Sequence, residues 1–352
     1  MKFYRLFSLV LGLSFFITEM VFGQIETTDF SNYNSFKPSK SYFFTNRPIV
    51  INEDNSIYFQ NKSTIQTNTL YFCSYDFDND SIELLYRAVN LSDSFPTTNV
   101  KHNIFYEMYE NQRLVRGIRH FYIVVGGYGK SFDKQVNSYM RRLKENYGDS
   151  LFNKATILTY AWGVEDDAYQ YYNAVRESKN GAADFAIFQH MLEEFLSDEE
   201  YFKNRPKDIT ISIVFSSMGN MLFKEYLEMR KQQNIPLKKV YNRILFVGSV
   251  APRNAFEAGN AFYNLDQMAN DVDVFVNRKD YLLKMSSIAH LKNRMGNKGP
   301  RKEKKLPDYV NIFHMENIIT IQDMAGMGHD YLLTNTVLQD ELLGDIYKSL
   351  AE

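Results

Sequence analysis

A serine hydroxyl becomes a useful nucleophile only when a base takes its proton and an acid orients that base. The serines of interest are therefore those a fold can hold still and aim. Ser216-Ser217-Met218-Gly219-Asn220 follows the apolar run Ile209 to Phe215 and leads into the helical pattern Met218 to Arg230. A serine on such a strand-to-helix turn projects above its sheet when small residues two before and two after it relieve the crowding. Gly219 meets the second condition for Ser217, and Phe215 breaks the first. Ser216 is the poorer candidate, because the residues two away from it are Val214 and Met218. Taken alone, a Ser-x-Gly after a strand is more often a turn than a nucleophile.

Chain order raises its standing. On a parallel sheet the acid and the base arrive from later loops in the order Ser, Asp, His. Asp280 follows the apolar run Val272 to Val276 through Asn277-Arg278-Lys279, and His329 stands in the loop Met324-Ala-Gly-Met-Gly-His329-Asp330 after the last strand. The plainer reading of Asp280 is an N-cap for the helix starting at Tyr281, and the two roles are compatible. His314 is the rival base, although it falls within the last strand rather than past it. An oxyanion formed on an attacked carbonyl needs backbone donors. The glycine-rich turn Val125-Gly126-Gly127-Tyr128-Gly129 offers the amides of Gly127 or Tyr128, beside that of Met218. The same turn could cradle a phosphate, but no Gly-Lys-Ser/Thr or Gly-x-Gly-x-x-Gly pattern follows it, which disfavours nucleotides.

The elements that must position these residues fall into two textures. From Tyr42 to Tyr109 short aromatic and β-branched runs recur at Tyr42 to Thr45, Ile57 to Gln60, Thr69 to Tyr75, Ile82 to Val89 and Ile104 to Met108, separated by turn clusters. They predict antiparallel strands at an N-terminal edge. After Arg119, nearly continuous apolar runs at Phe121 to Val125, Thr156 to Tyr160, Ile209 to Phe215, Val240 to Val247, Val272 to Val276 and Val310 to Phe313 predict buried parallel strands. Helical patterns lie between them at Phe132 to Tyr147, Tyr169 to Arg176, Ala182 to Leu196, Met218 to Arg230 and Tyr281 to Lys292. The expected fold is α/β, a mainly parallel doubly wound sheet with antiparallel strands at the N-terminal edge, in a single domain over residues 41–352.

Composition removes other classes. Forty Lys and Arg against 42 Asp and Glu leave a formal charge of -2, without the cation surplus of a phosphate-backbone binder, so no nucleic-acid partner is expected. One cysteine and six scattered histidines give no zinc spacing, and neither metal nor cofactor is expected. Asp76-x-Asp78-x-Asp80 lacks the glycine and closing glutamate of a calcium loop and reads as a solvated turn. The basic stretch Lys298-Gly-Pro-Arg-Lys-Glu-Lys-Lys305 reads as a solvated loop, with a lid or surface-binding patch as the minor option. At the start, Lys2 and Arg5 precede an apolar run from Leu6 to Ile17, closed by Glu19, with small residues before Gln24. Met1 to Gly23 is expected to be a cleaved export signal, residues 24–40 a surface lead-in, and the mature chain periplasmic or extracellular with no integral membrane anchor.

Taken together, the motifs resemble those of the bacterial α/β-hydrolases of unknown function, esterase/lipase-like (domain of unknown function 900). The likeness runs from Phe43-Phe44-Thr45-Asn46-Arg47 through Val125-Gly126-Gly127-Tyr128, Tyr160-Ala161-Trp162, Ser217-Met218-Gly219-Asn220, Ala251-Pro252, Asn277-Arg278-Lys279-Asp280 and Arg294-Met295-Gly296 to Gly328-His329-Asp330-Tyr331. The resemblance implies an α/β-hydrolase fold and a triad of Ser217, Asp280 and His329 acting on a small-molecule or lipid ester. The chain departs from the family's usual His-Gly at Gly126-Gly127, from its small residue and His at Phe215-Ser216, and from its acid after Ala-Pro at Arg253-Asn254. An exported carboxylic ester hydrolase is thus the first expectation. A catalytically silent binding protein on the same fold is the second, and an amidase or peptidase using the same residues the third.

Overall fold

The computed structural model describes residues 40–52, 57–60, 69–76, 81–89, 103–127, 151–163, 171–289, 292–317 and 328–329, with single positions at 136, 140, 141, 144 and 145. The expected export signal, almost all of the lead-in, most of the helical pattern Phe132 to Tyr147, and Tyr128 lie outside the described residues. The strands and main helices are β1 (Lys40–Thr45), β2 (Ile49–Ile51), β3 (Ile57–Phe59), β4 (Thr69–Asp76), β5 (Ser81–Val89), α1 (Ile104–Tyr109), β6 (His120–Val125), β7 (Ala155–Ala161) and α2 (Tyr171–Ser197). They continue with β8 (Thr210–Ser216), α3 (Gly219–Gln232), β9 (Tyr241–Val247), β10 (Ala269–Val276), α4 (Tyr281–Ala289), α5 (Met295–Lys298) and β11 (Val310–His314).

Nine strands make one sheet in the order β11-β10-β9-β8-β6-β7-β1-β4-β5. All pairings from β11 to β1 are parallel, and β4 and β5 extend the sheet antiparallel. This is the mainly parallel α/β sheet that the alternation of strands and helices predicts, and the α/β-hydrolase architecture that the family resemblance implies. Strand β1 lies parallel to β7, so antiparallel pairing begins one strand further out than its place in the chain suggests. The sheet order reverses beside β6: the chain passes from β6 to β7 on one side and returns to β8 on the other. Such a reversal leaves a crevice at the carboxyl ends of the two flanking strands.

Three local expectations are corrected. Ile104 to Met108 is a helix, not a strand: the Asn103 side chain accepts from the Phe105 amide at its start, and Ile104, Phe105, Met108 and Tyr109 are buried at helical spacing. An apolar run this short satisfies both periods, and the cap decides between them. Ile57 to Phe59 leaves the main sheet and pairs with Ile49–Ile51 in a separate two-stranded sheet. Pro48 stands between β1 and β2, its carbonyl accepts from the Gln60 amide at 3.0 Å, and Phe59 meets Phe43 edge-on at 5.8 Å. Finally, Tyr169 to Arg176 and Ala182 to Leu196 are not two helices but one, α2, of 27 residues. Gly181 is no breaker there; a Cβ on it would come within 3.0 Å of Leu222 Cδ1, so it marks the close approach of α2 to α3.

The main core lies between the sheet and α1, α2 and α3, and draws on β1 and β4 as well as β6 to β10. Aromatic rings fill it: Phe215 of β8 stacks on Phe223 of α3 at 4.2 Å, and Phe246 of β9 stacks on Phe262 at 4.7 Å. Where α2 and α3 meet, the core holds a buried ion pair. Arg230 bonds Glu193, the Tyr226 hydroxyl and the Pro236 carbonyl, while Gln189 joins Glu193 to the Tyr241 hydroxyl. Burial raises the pKa of the Tyr241 hydroxyl well above its ordinary value, and that of Tyr226 rises likewise, so both remain neutral donors. Among the described residues no helix is long and apolar enough to cross a membrane.

Candidate active site

The register of the central strands brings two turns together. Val125 of β6 pairs with Phe215 of β8, so Gly127 and Ser217 each stand two residues beyond the same rung, past the carboxyl ends of the two strands. Ser217 has φ 52°, a left-handed conformation that costs a serine of the order of 1–3 kcal/mol. Neighbouring groups hold it there. Its amide donates to the Val247 carbonyl at 2.8 Å, and the buried Asn220 side chain donates to the carbonyls of Phe215 and Ser217 at 2.8 and 2.9 Å. The turn passes straight into α3, whose amino-terminal partial positive charge lies next to Ser217, with Met218 as its cap residue.

Crowding at this turn is relieved differently from the sequence rule. Phe215, two before the serine, is fully buried on the α3 side of the sheet and stacks on Phe223. The space is made by glycines. A Cβ at Gly127 would stand 2.6 Å from the Ser217 Cβ, and one at Gly219 would stand 2.8 Å from the Val125 carbonyl oxygen. Phe215 is therefore accommodated without displacing the serine. The carbonyl of Gly126 accepts from the Trp162 indole at 2.8 Å, which fixes the β6 turn against the β7 loop.

Asp280 and His329 complete the arrangement. His329 Nε2 lies 2.7 Å from Ser217 Oγ, and its Nδ1 lies 2.7 Å from Asp280 Oδ2. The other Asp280 oxygen accepts from the Leu283 amide at 2.8 Å, so this carboxylate caps α4 and engages the imidazole at once. It is fully buried, whereas the His329 side chain is 11% exposed. With Nδ1–H donated to a carboxylate, Nε2 is left as an acceptor facing the serine hydroxyl. The rival His314 turns to Glu303, at 3.2 Å, and stays with it at the sheet edge.

Groups outside the expected triad position the histidine. Asn277, fully buried, donates through Nδ2 to the Gly328 carbonyl at 2.6 Å and accepts the Lys279 amide at 2.9 Å. One side chain thereby ties the loop bearing Asp280 to the loop bearing His329. Asn297 in turn donates to the Asn277 carbonyl at 3.2 Å. Gly248, at φ 54°, lies under the imidazole, and a Cβ there would approach the ring to 3.1 Å. Asn220, Gly248, Asn277 and Asn297 were not assigned to the site from the sequence, although Asn220 and Asn277 fall within motifs that carry the family likeness: no periodicity marks what a single amide or glycine holds. Of the expected oxyanion donors, Met218 and Gly127 flank Ser217, and Tyr128 lies outside the described residues.

A family model described as an alpha/beta hydrolase of unknown function (DUF900) matches residues 109–345. The chain belongs to that family. The matched span begins in α1 and takes in Ser217, Asp280 and His329. Among solved structures, the esterase Pf2001 of Pyrococcus furiosus is similar at 11% sequence identity, covering 90% of this chain and 96% of that one with a TM-score of 0.33. No curated relative matches the chain.

Proposed function

We propose that this α/β-hydrolase family member is an exported serine hydrolase that cleaves carboxylic esters through an acyl-enzyme. The observation that carries the reading is the unbroken run of hydrogen bonds from Ser217 Oγ through His329 to Asp280, 2.7 Å at each step. In the reaction, Ser217 Oγ attacks the acyl carbon while His329 Nε2 takes its proton, and Asp280 stabilises the imidazolium and holds its tautomer. The carbonyl oxygen gains charge beside the start of α3, where the amides of Met218 and of Gly127 or Tyr128 receive it. The tetrahedral adduct collapses, the C–O bond to the alcohol breaks, and the departing alkoxide takes the proton from Nε2. Water then repeats the sequence on the acyl-enzyme and releases the acid.

Covalent labelling tests this. A fluorophosphonate should modify wild-type protein at Ser217 and leave Ser217→Ala unmodified. A folded wild type that takes no label and turns over no ester would favour a binding role for the same fold. Export from Met1 to Gly23 is part of the proposal, and amino-terminal sequencing of protein from its native host should begin at or near Gln24. An intact Met1 would remove that part while leaving the chemistry untouched.

A further inference from the structure

Helix α4 carries its apolar residues on the side opposite to the one it packs. Leu283 is 1% exposed, whereas Tyr281, Leu282, Met285 and Ile288 are 51%, 38%, 64% and 75% exposed. At about 100° per residue these four fall in one arc of about 120°, roughly opposite Leu283. Scattered single apolar residues on a surface need no explanation, but a contiguous stripe along a helix does. Charge along this segment has one sign. Residues 281–298 contain Lys284, Lys292, Arg294 and Lys298 and no Asp or Glu, in a chain whose formal charge is -2. The Lys284 ammonium stands 4.5 Å from the Tyr281 ring centroid. Lys284, Lys292 and Lys298 line, together with Ile288, one shallow cleft of about 360 Å³. The neighbouring carboxylate, Asp280, is fully buried and engaged by His329, so it does not offset these cations.

We infer that the outer face of α4 docks onto an anionic lipid surface, Tyr281, Leu282, Met285 and Ile288 entering the headgroup boundary and Lys284, Lys292 and Lys298 meeting lipid phosphates. Apolar side chains bordered by lysines are what an interfacial helix presents to such a surface. A second copy of this chain fits less well, since a two-fold contact through the stripe would set lysine against lysine. Nucleic acid would answer the lysines and leave the apolar stripe in water. Docking in this orientation sets Asp280, the residue before Tyr281, close to the lipid boundary. Under the ester-hydrolase reading, on which this one consequence rests, the substrate would be drawn from that boundary.

Co-sedimentation with vesicles tests the docking alone, whatever the fate of the catalytic proposal. Wild-type protein should bind vesicles of phosphatidylglycerol and phosphatidylcholine, bind pure phosphatidylcholine far less, and release as salt rises. Met285→Ser/Ile288→Ser and Lys284→Gln/Lys292→Gln should each lower partition by about tenfold or more, with thermal midpoints near wild type because the changed side chains face outward. Binding driven by the apolar run Leu6 to Ile17 would survive both double substitutions, and that survival would overturn the inference. So would a wild type that ignores anionic vesicles, or one that self-associates in solution and becomes monomeric on Met285→Ser/Ile288→Ser.

Discussion

Glu193 and Asp280 are both buried carboxylates set against a nitrogen partner, and they differ in how their networks end. Glu193 and Arg230 form a closed set: the guanidinium is taken up by Glu193, Tyr226 and Pro236, and Gln189 and Tyr241 occupy the far side. The side chains of this pair are 3% and 2% exposed. Asp280 and His329 form an open set, in which the last member is the hydroxyl of Ser217, just past the carboxyl end of β8. A closed network holds helices together, because its charged groups are engaged with one another away from water. An open one ends in a group whose proton can leave. Backbone strain separates them too, since the left-handed φ of 52° belongs to Ser217 and no residue of the Glu193 network shares it.

The largest expected effect falls on the open set. Ser217→Ala should lower turnover of a short-chain aryl ester by about three orders of magnitude or more, with little change in thermal midpoint. If it loses stability instead of turnover, the two networks do not differ in kind. Next comes the closed set. Glu193→Gln leaves the Arg230 charge buried without its counter-ion, and the expected cost is about 3–5 kcal/mol of folding stability by denaturant titration. Turnover per folded molecule should stay near wild type. A Glu193→Gln protein of normal stability and poor turnover would break the comparison from the other side.

Much of the open set was legible in the sequence, and the reason is topological. A parallel sheet delivers residues that follow its strands to one end, so the order Ser217, Asp280, His329 after successive strands already implied convergence. The family resemblance sharpened the same three positions. What the sequence hid was steric and local. Phe215 read as a defect, because which glycine clears the space around Ser217 depends on the β6–β8 register and not on neighbours in the chain. Ile104 to Met108 read as a strand, because five residues carry too little periodicity to outweigh one cap at Asn103. The parallel pairing of β1 with β7 is a long-range choice that alternation within β1 cannot express.

Asn277 sharpens the comparison at intermediate scale, because it belongs to the open set only by position. Its side chain touches no reacting atom and holds the Gly328 carbonyl at 2.6 Å. Asn277→Ala should let the His329 loop drift and lower kcat by about ten- to a hundredfold, the order expected of a misplacement near 1 Å. KM should change little. Asn277→Asp, which removes the donor and sets a carboxylate against that carbonyl, should do no better. A loss confined to stability would reassign Asn277 to the scaffold.

The smallest effect separates burial from geometry. Asp208 takes two hydrogen bonds from Arg113, both 2.7 Å, and lies 3.2 Å from Arg119, yet its side chain is 39% exposed. The hydrogen-bonded Arg113 guanidinium, assisted by the charges of Arg113 and Arg119, holds the Asp208 carboxyl below the usual aspartate range. A depressed folded-state pKa means the pair stabilises the protein above the ordinary aspartate value of about 3.9 and loses that contribution as pH falls through the lower folded value. Solvent screening keeps the contribution to about 0.2–1 kcal/mol. Asp208→Asn should therefore lower the thermal midpoint slightly at neutral pH, and the difference from wild type should close as the buffer is taken below about pH 4. A cost as large as that of Glu193→Gln would show that bidentate geometry, rather than exclusion of water, gives the buried network its strength; so would a difference that persists in acid.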